Sequence, residues 1–175
     1  MAISFEGFPR ILERSALRPG RWFVAGDRGR ALLGFVTEIV DGPDLIALTF
    51  VSGGVEQIDF AAVSLGALTP PFATVEDELV FAPGMAEGRP MLVAPARRAF
   101  RSGSLLRLKS GDLGLGFAAG PEAELAIVSL VSGQRAESFD LVFDRWSIRL
   151  RRGPAETLLG YFKPPLQTFG DRRRG

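Results

Sequence analysis

Apolar and β-branched residues run along this chain in short blocks. Each is closed by Gly, Pro, Asp or Ser before it reaches the length of an ordinary helix, and that punctuation restricts the chain to strand-based folds. The blocks are residues 22–25, 31–40, 45–51 and 55–60 in the first half, and 105–109, 113–118, 124–131, 138–143 and 145–151 in the second. Asp41-Gly42-Pro43-Asp44 reads as a turn, because proline sets φ and Gly and Asp tolerate tight conformations beside it. Ser52-Gly53-Gly54 and Ser132-Gly133-Gln134 read as hairpin connections in equivalent places. Helix is confined to three short candidates. Residues 8–17 place Phe8, Ile11, Leu12 and Ala16 on one face and stop before Pro19-Gly20. Thr74 is suited to cap residues 75–78, and Pro154 to open a helical turn ending near Gly160. The class predicted is all-β with minor helix.

The blocks repeat. Gly26 to Phe35 resembles Gly111 to Phe117, with Leu33-Gly34-Phe35 falling on Leu115-Gly116-Phe117. Downstream, Phe50 to Gly53 falls on Leu130 to Gly133 and Glu56 to Asp59 on Glu137 to Asp140; upstream, Arg14-x-x-x-Arg18 falls on Arg97-x-x-x-Arg101. The four matches keep their order at nearly constant offset, which predicts a tandem duplication of two small antiparallel β-barrel or half-sandwich modules. Their predicted limits are 9–82 and 90–162, joined by a Pro/Gly linker at 83–89 and followed by a Pro/Arg-rich tail at 163–175. Leu166 and Phe169 are the expected anchors of that tail on a neighbouring subunit.

Composition removes several chemistries. The 175 residues include no histidine and no cysteine, so Ser-His-Asp and Cys-His catalysis, disulfides and sulfur-ligated zinc have no residues to use. With 46% hydrophobic residues the chain can bury a core, and disorder is excluded. The longest uncharged stretch, residues 60–75, holds Pro70 and Pro71 and is too short and broken to span a membrane as a helix. Residues 1–10 lack a basic segment followed by an apolar block, and the expected location is cytoplasmic. The net charge of +1 hides a division: residues 1–88 hold 6 basic and 12 acidic side chains, whereas residues 89–175 hold 15 and 8. Opposite halves attract each other, within one chain or between chains, or the basic half meets a polyanion.

Gly114-x-Gly116-x-x-Ala119 has the letters of a dinucleotide fingerprint, but Gly120-Pro121 and another strand pattern follow where a helix is needed, so it reads as glycines in a bent strand. Arg14-x-x-x-Arg18 and Arg97-Arg98-x-x-Arg101 resemble one half of the PilZ cyclic-dinucleotide signature. The second half, Asp/Asn-x-Ser-x-x-Gly, follows neither, and the chain is not assigned to that family. Residues 145–152 alternate, with Trp146, Ile148 and Leu150 expected inward and Arg145, Ser147, Arg149 and Arg151 outward. Arg97, Arg98, Arg101, Arg145, Arg149 and Arg151, beside Arg107 and Lys109, are therefore the candidate anion-binding residues. The competing reading is an edge strand guarded by charge, or arginines paired with the acidic half. Asp27 and Asp112 match across the repeat without the Asp-Thr/Ser-Gly loop of aspartic proteases and read as turn residues. Neither Asp140 with Asp144 nor Asp41 with Asp44 has the ligand count of a cation loop, and Lys109 and Lys163 sit in no catalytic motif.

The expected function is a non-catalytic interaction or assembly protein, a homo-oligomer or one with a protein partner, and with no cofactor, metal or membrane association. The alternative is a binder of an anionic ligand, nucleotide or nucleic acid, on the arginine face. That alternative requires the arginines to converge without carboxylates neutralising them.

Overall fold

The computed structural model describes residues 11–27, 30–52, 57–75, 77–83, 85–86, 89–90, 100–118, 124–143 and 145–162. Its strands in chain order begin with β1 (Ile11–Leu12), β2 (Trp22–Asp27), β3 (Arg30–Asp41), β4 (Asp44–Ser52), β5 (Ile58–Ser64), β6 (Phe72–Thr74) and β7 (Glu78–Pro83). Then come β8 (Met85–Ala86), β9 (Arg89–Pro90), β10 (Leu105–Leu108), β11 (Leu113–Phe117), β12 (Ala126–Ser129), β13 (Phe139–Phe143), β14 (Trp146–Arg152) and β15 (Ala155–Phe162). They form a six-stranded sheet ordered β1-β6-β2-β3-β4-β5, a four-stranded sheet β12-β11-β10-β13, a three-stranded sheet β15-β14-β7 and the ribbon β8-β9. The protein is all-β, and no sheet closes on itself.

Strand alternation gives the six-stranded sheet two apolar faces. On one, Phe23, Ala25, Leu32, Val36, Ala47 and Phe72 are covered by Leu17 and Leu65 from the flanking segments. The 3-10 turns Arg14–Ala16 and Leu65–Ala67 form this cover, and the Arg14 guanidinium ties them by donating to the Leu68 carbonyl at 2.6 Å. The other face carries Val24, Leu33, Phe35, Ile46, Leu48 and Phe50 into a core shared with Leu105, Leu115, Phe117, Phe143, Trp146 and Phe162. Trp146 is fully buried at its centre, its ring 6.1 Å from Phe50, 5.8 Å from Phe81 and 5.1 Å from Phe162. The indole N–H donates to the Gly103 carbonyl at 2.7 Å, which removes the cost of burying it.

The helical expectations are corrected. Residues 8–10 lie outside the described residues, while Ile11–Leu12 pairs with β6 and only residues 14–16 turn. Thr74 ends β6 and Glu78 begins β7, so no helical turn is capped there. Residues 155–162 are strand: Gly153-Pro154 is a two-residue hairpin connection with Gly153 at φ +58, between paired Arg152 and Ala155. The turn at 41–44 has the same chemistry, with Gly42 at φ +62 between paired Asp41 and Asp44. A positive φ followed by proline suits the hairpin turns whose twist matches the strands.

The Leu-Gly-Phe tripeptides occupy like places. Leu33, Phe35, Leu115 and Phe117 all enter the shared core. The Phe23 ring covers Gly34 and the Phe100 ring covers Gly116, in each case so closely that a Cβ would collide with it. The surrounding strand orders differ, because β5 pairs with β4 whereas β13 lies beside β10 rather than β12. The division at residue 83 also crosses a sheet: β7 pairs along its whole length with β14. Among the described residues an isolated parallel bridge, Gln57 with Tyr161, joins the residue before β5 to β15.

A joint ties the first half to the second. A register shift in β3 between Val36 and Val40 frees backbone groups, and the turn after β12 docks there. Glu38 N–H donates to the Gly133 carbonyl at 2.8 Å, and the Glu38 carboxylate accepts the Arg135 N–H at 2.7 Å. Gly133 has φ +75, and a Cβ on it would overlap the Gly20 amide and lie 2.7 Å from the Val36 carbonyl oxygen. Only glycine meets both demands.

Candidate functional site

The arginine face of β14 lies in the middle of its sheet, between β7 and β15. This corrects the edge-strand reading. Directly opposite Arg151 stand Glu156 on β15 and Glu78 on β7, and the guanidinium bonds both, at 2.6 Å and 3.3 Å. Arg149 reaches Glu156 at 3.3 Å and Arg152 reaches Asp77 at 2.8 Å. Hydrogen bonds from Arg151 and then Arg149 hold the Glu156 carboxyl below its ordinary range, and Arg152 does the same for Asp77. Three guanidiniums thus meet three carboxylates.

The other expected residues fare differently. Arg145 is exposed and has no ion-pair partner among the described residues. Arg101 is half-buried, with its backbone N–H bonded to the Ser104 hydroxyl at 3.1 Å. Arg107 forms a forked ion pair with Asp140 across β10 and β13, closest at 2.7 Å, and this lowers the Asp140 carboxyl from its usual value. Of the first PilZ-like pair, Arg14 and Arg18 donate to the backbone carbonyls of Leu68 and of Ser15 and Leu17. Arg97, Arg98, Leu166 and Phe169 lie outside the described residues.

A different surface stands out on the four-stranded sheet. Its face away from the shared core holds Leu106, Leu108, Ile127 and Val142, with Phe100, Ala136 and Phe139 packed against them. Beside this cluster opens a groove of about 490 Å³ lined by Phe100, Leu125, Ala126, Ile127, Arg135, Ala136, Glu137 and Phe139. Phe100 and Phe139 meet edge to face at 5.3 Å. Gly116 lets the Phe100 ring lie flat on β11, since a Cβ there would come within 2.6 Å of it. Gly114-x-Gly116 is therefore a packing device for side chains from Leu108 and Phe100, consistent with its reading as strand glycines. Sequence reasoning missed the lining residues: the signal available was an aromatic ahead of a glycine-containing strand, as Phe23 stands ahead of Gly34.

Among the described residues no group of three or more acidic side chains is placed to hold a metal ion, and no helix is long and apolar enough to cross a membrane. Fold and site together define an all-β protein with a groove lined by both apolar and charged side chains. Compared with known families, with curated proteins and with solved structures, the chain matches none.

Proposed function

We propose that the protein is a non-catalytic interaction module that binds a second polypeptide through the groove beside β12 and β13. The observation carrying this reading is the lining of the groove, which brings Phe100, Leu125, Ile127 and Phe139 together with Arg135 and Glu137. Protein interfaces likewise combine apolar and polar side chains. Leu125 keeps 39% of its surface exposed. The charge division between halves is partly used inside the chain, through Arg151 with Glu78 and Arg152 with Asp77. It is therefore a weaker argument for head-to-tail assembly. The likeness of the two Leu-Gly-Phe hairpins favours duplication of at least that unit. A cytoplasmic location belongs to the same proposal.

Selection of a random peptide display library on the full chain tests the proposal. Enriched peptides carry an apolar anchor, and Leu125→Glu weakens them about tenfold or more while the melting temperature holds. Peptides that bind Leu125→Glu equally, or no enrichment at all, refute it. The anionic-ligand reading is ranked second: it keeps Arg145, exposed and unpaired among the described residues, but Arg149 and Arg151 are already occupied.

A further inference from the structure

We infer that β5 is a docking edge for a second copy of this chain, paired antiparallel about a twofold axis at Ala62. This edge is separate from the groove, so loss of the dimer and loss of peptide binding are independent results. β5 forms one margin of the six-stranded sheet and pairs with β4 in unbroken register from Ile58 to Ser64. The Thr49 hydroxyl donates at 3.1 Å to the carbonyl of Ala61, its cross-strand partner, so that carbonyl faces β4. Backbone groups alternate in direction along a strand, which turns the N–H and C=O groups of Phe60, Ala62 and Ser64 toward the open side. The bridge of Gln57 with Tyr161 takes up the start of that side. Among the described residues nothing pairs there with residues 60–64.

The other margins are guarded. β1 has only two residues. β7 carries Glu78 in an ion pair with Arg151 and ends on Pro83. β13 shifts register opposite Arg107 and Leu108, where Arg107 holds Asp140, and β15 shifts register opposite Ile148 and Arg149. β12 is partly covered by residues 134–136, through Ala136 N–H to the Ile127 carbonyl and Ser129 N–H to the Gln134 carbonyl, each at 2.9 Å. A short strand, a charge, a proline and a bulge all discourage strand addition. Residues 60–64 read Phe-Ala-Ala-Val-Ser, in regular register, and have none of these devices.

Register selects the partner. In an isologous contact a strand meets its own image, and outward-facing groups must oppose outward-facing groups. Centred on Ala61, the pair would set Ser64 of one copy opposite Ile58 of the other, against the place that Tyr161 holds. Centred on Ala62, it sets Phe60 opposite Ser64 and Ala62 opposite its own image, using every outward group of residues 60–64 and no others. Ala61 then faces Val63 on the outer side, and Asp59 falls beyond the paired length, so no like charges meet. Alanines at the axis let the strands reach the ordinary spacing of about 4.8 Å. A foreign strand would find no charge along this edge to recognise.

The test is sedimentation of the full chain over a concentration series, with Ala62→Pro beside it. The unmodified chain forms a dimer. Ala62→Pro removes an outward N–H that β4 does not use, a position where edge strands accept proline, and raises the dissociation constant at least about tenfold while circular dichroism shows the fold retained. Cross-linking reads the register. The chain has no cysteine, so Ala61→Cys and Val63→Cys each introduce a single thiol. Mixed under mild oxidation, the two variants link to each other, because these opposed positions stand about 4.5 Å apart between Cα atoms, within disulfide reach. Neither variant links to itself at that rate, since like positions are two residues out of step. If Ala62→Pro does not fold, the cross-linking pattern decides. A chain monomeric at every concentration overturns the inference, and is the result expected if a different strand covers this edge. A dimer that Ala62→Pro leaves unchanged also overturns it, as does either thiol variant linking to itself as fast as the mixture.

Discussion

Gly133→Ala tests the joint that makes two sheets into one molecule. Its φ of +75 lies in the left-handed region, where a side chain costs about 1–2 kcal/mol. The added Cβ would overlap the Gly20 amide and press on the Val36 and Pro19 backbone, so the turn must back away from β3. Retreat stretches the Glu38 N–H bond to Gly133 and the Arg135 N–H bond to Glu38, at about 1 kcal/mol each. The sum is about 3–4 kcal/mol, or a fall in melting temperature of roughly 10 °C for a chain of this size. Thermal unfolding followed by circular dichroism measures it. Gly111→Ala is the control, because Gly111 also has positive φ, +94, but nothing lies within 4 Å of its would-be Cβ. If Gly133→Ala loses no more stability than Gly111→Ala, the docking of this turn into β3 is wrong.

Trp146→Phe removes the donor to the buried Gly103 carbonyl and part of the central ring contact, and is expected to cost about 2–4 kcal/mol in chemical denaturation; an unchanged midpoint would contradict the central role of this ring. The carboxyls of Asp77, Asp140 and Glu156 are held low by their arginines, so the stability they contribute is present above the unfolded range of about pH 4 and is lost as pH falls through the depressed folded values. Asp140→Asn should therefore be slightly less stable than the parent at pH 7 and should converge with it in acid, as a pH series of unfolding curves will show; a gap that widens in acid would reverse the assigned sign. Because Arg151 is paired with Glu78 and Glu156, Arg151→Gln combined with Glu156→Gln, which removes one charge of each sign, should leave the salt needed to elute the protein from heparin unchanged, and earlier elution would restore the anion-binding reading.

Much of the fold was legible because strands announce themselves locally. The alternation in residues 145–152 does send Trp146 and Ile148 to the core, but Ser147, expected outward, is buried, and Leu150, expected inward, is only half-buried like Arg149 and Arg151. The turn at Asp41-Gly42-Pro43-Asp44 followed from residue chemistry alone. Gly153-Pro154 offered the same pair but was read as a helix start, because proline opens helices and tight hairpins equally well and only the pairing of Arg152 with Ala155 decides. The candidate site was less legible. Arg151 could be seen facing outward, but its partner Glu78 is 73 positions away, and no local pattern connects them.

The sequence by itself determined the all-β class, the exclusion of histidine and cysteine chemistry, and the alternation that places large apolar side chains on buried faces, since each depends on residue type and on a two-residue period. Tertiary structure alone decided which strands are neighbours. It set β7 of the first half beside β14 of the second, paired Arg149 and Arg151 of the arginine row with carboxylates, and left the groove beside β12 and β13. Strand pairing is non-local: backbone hydrogen bonds are the same for any two strands, so the choice among partners falls to the packing of a core that both halves must fill together.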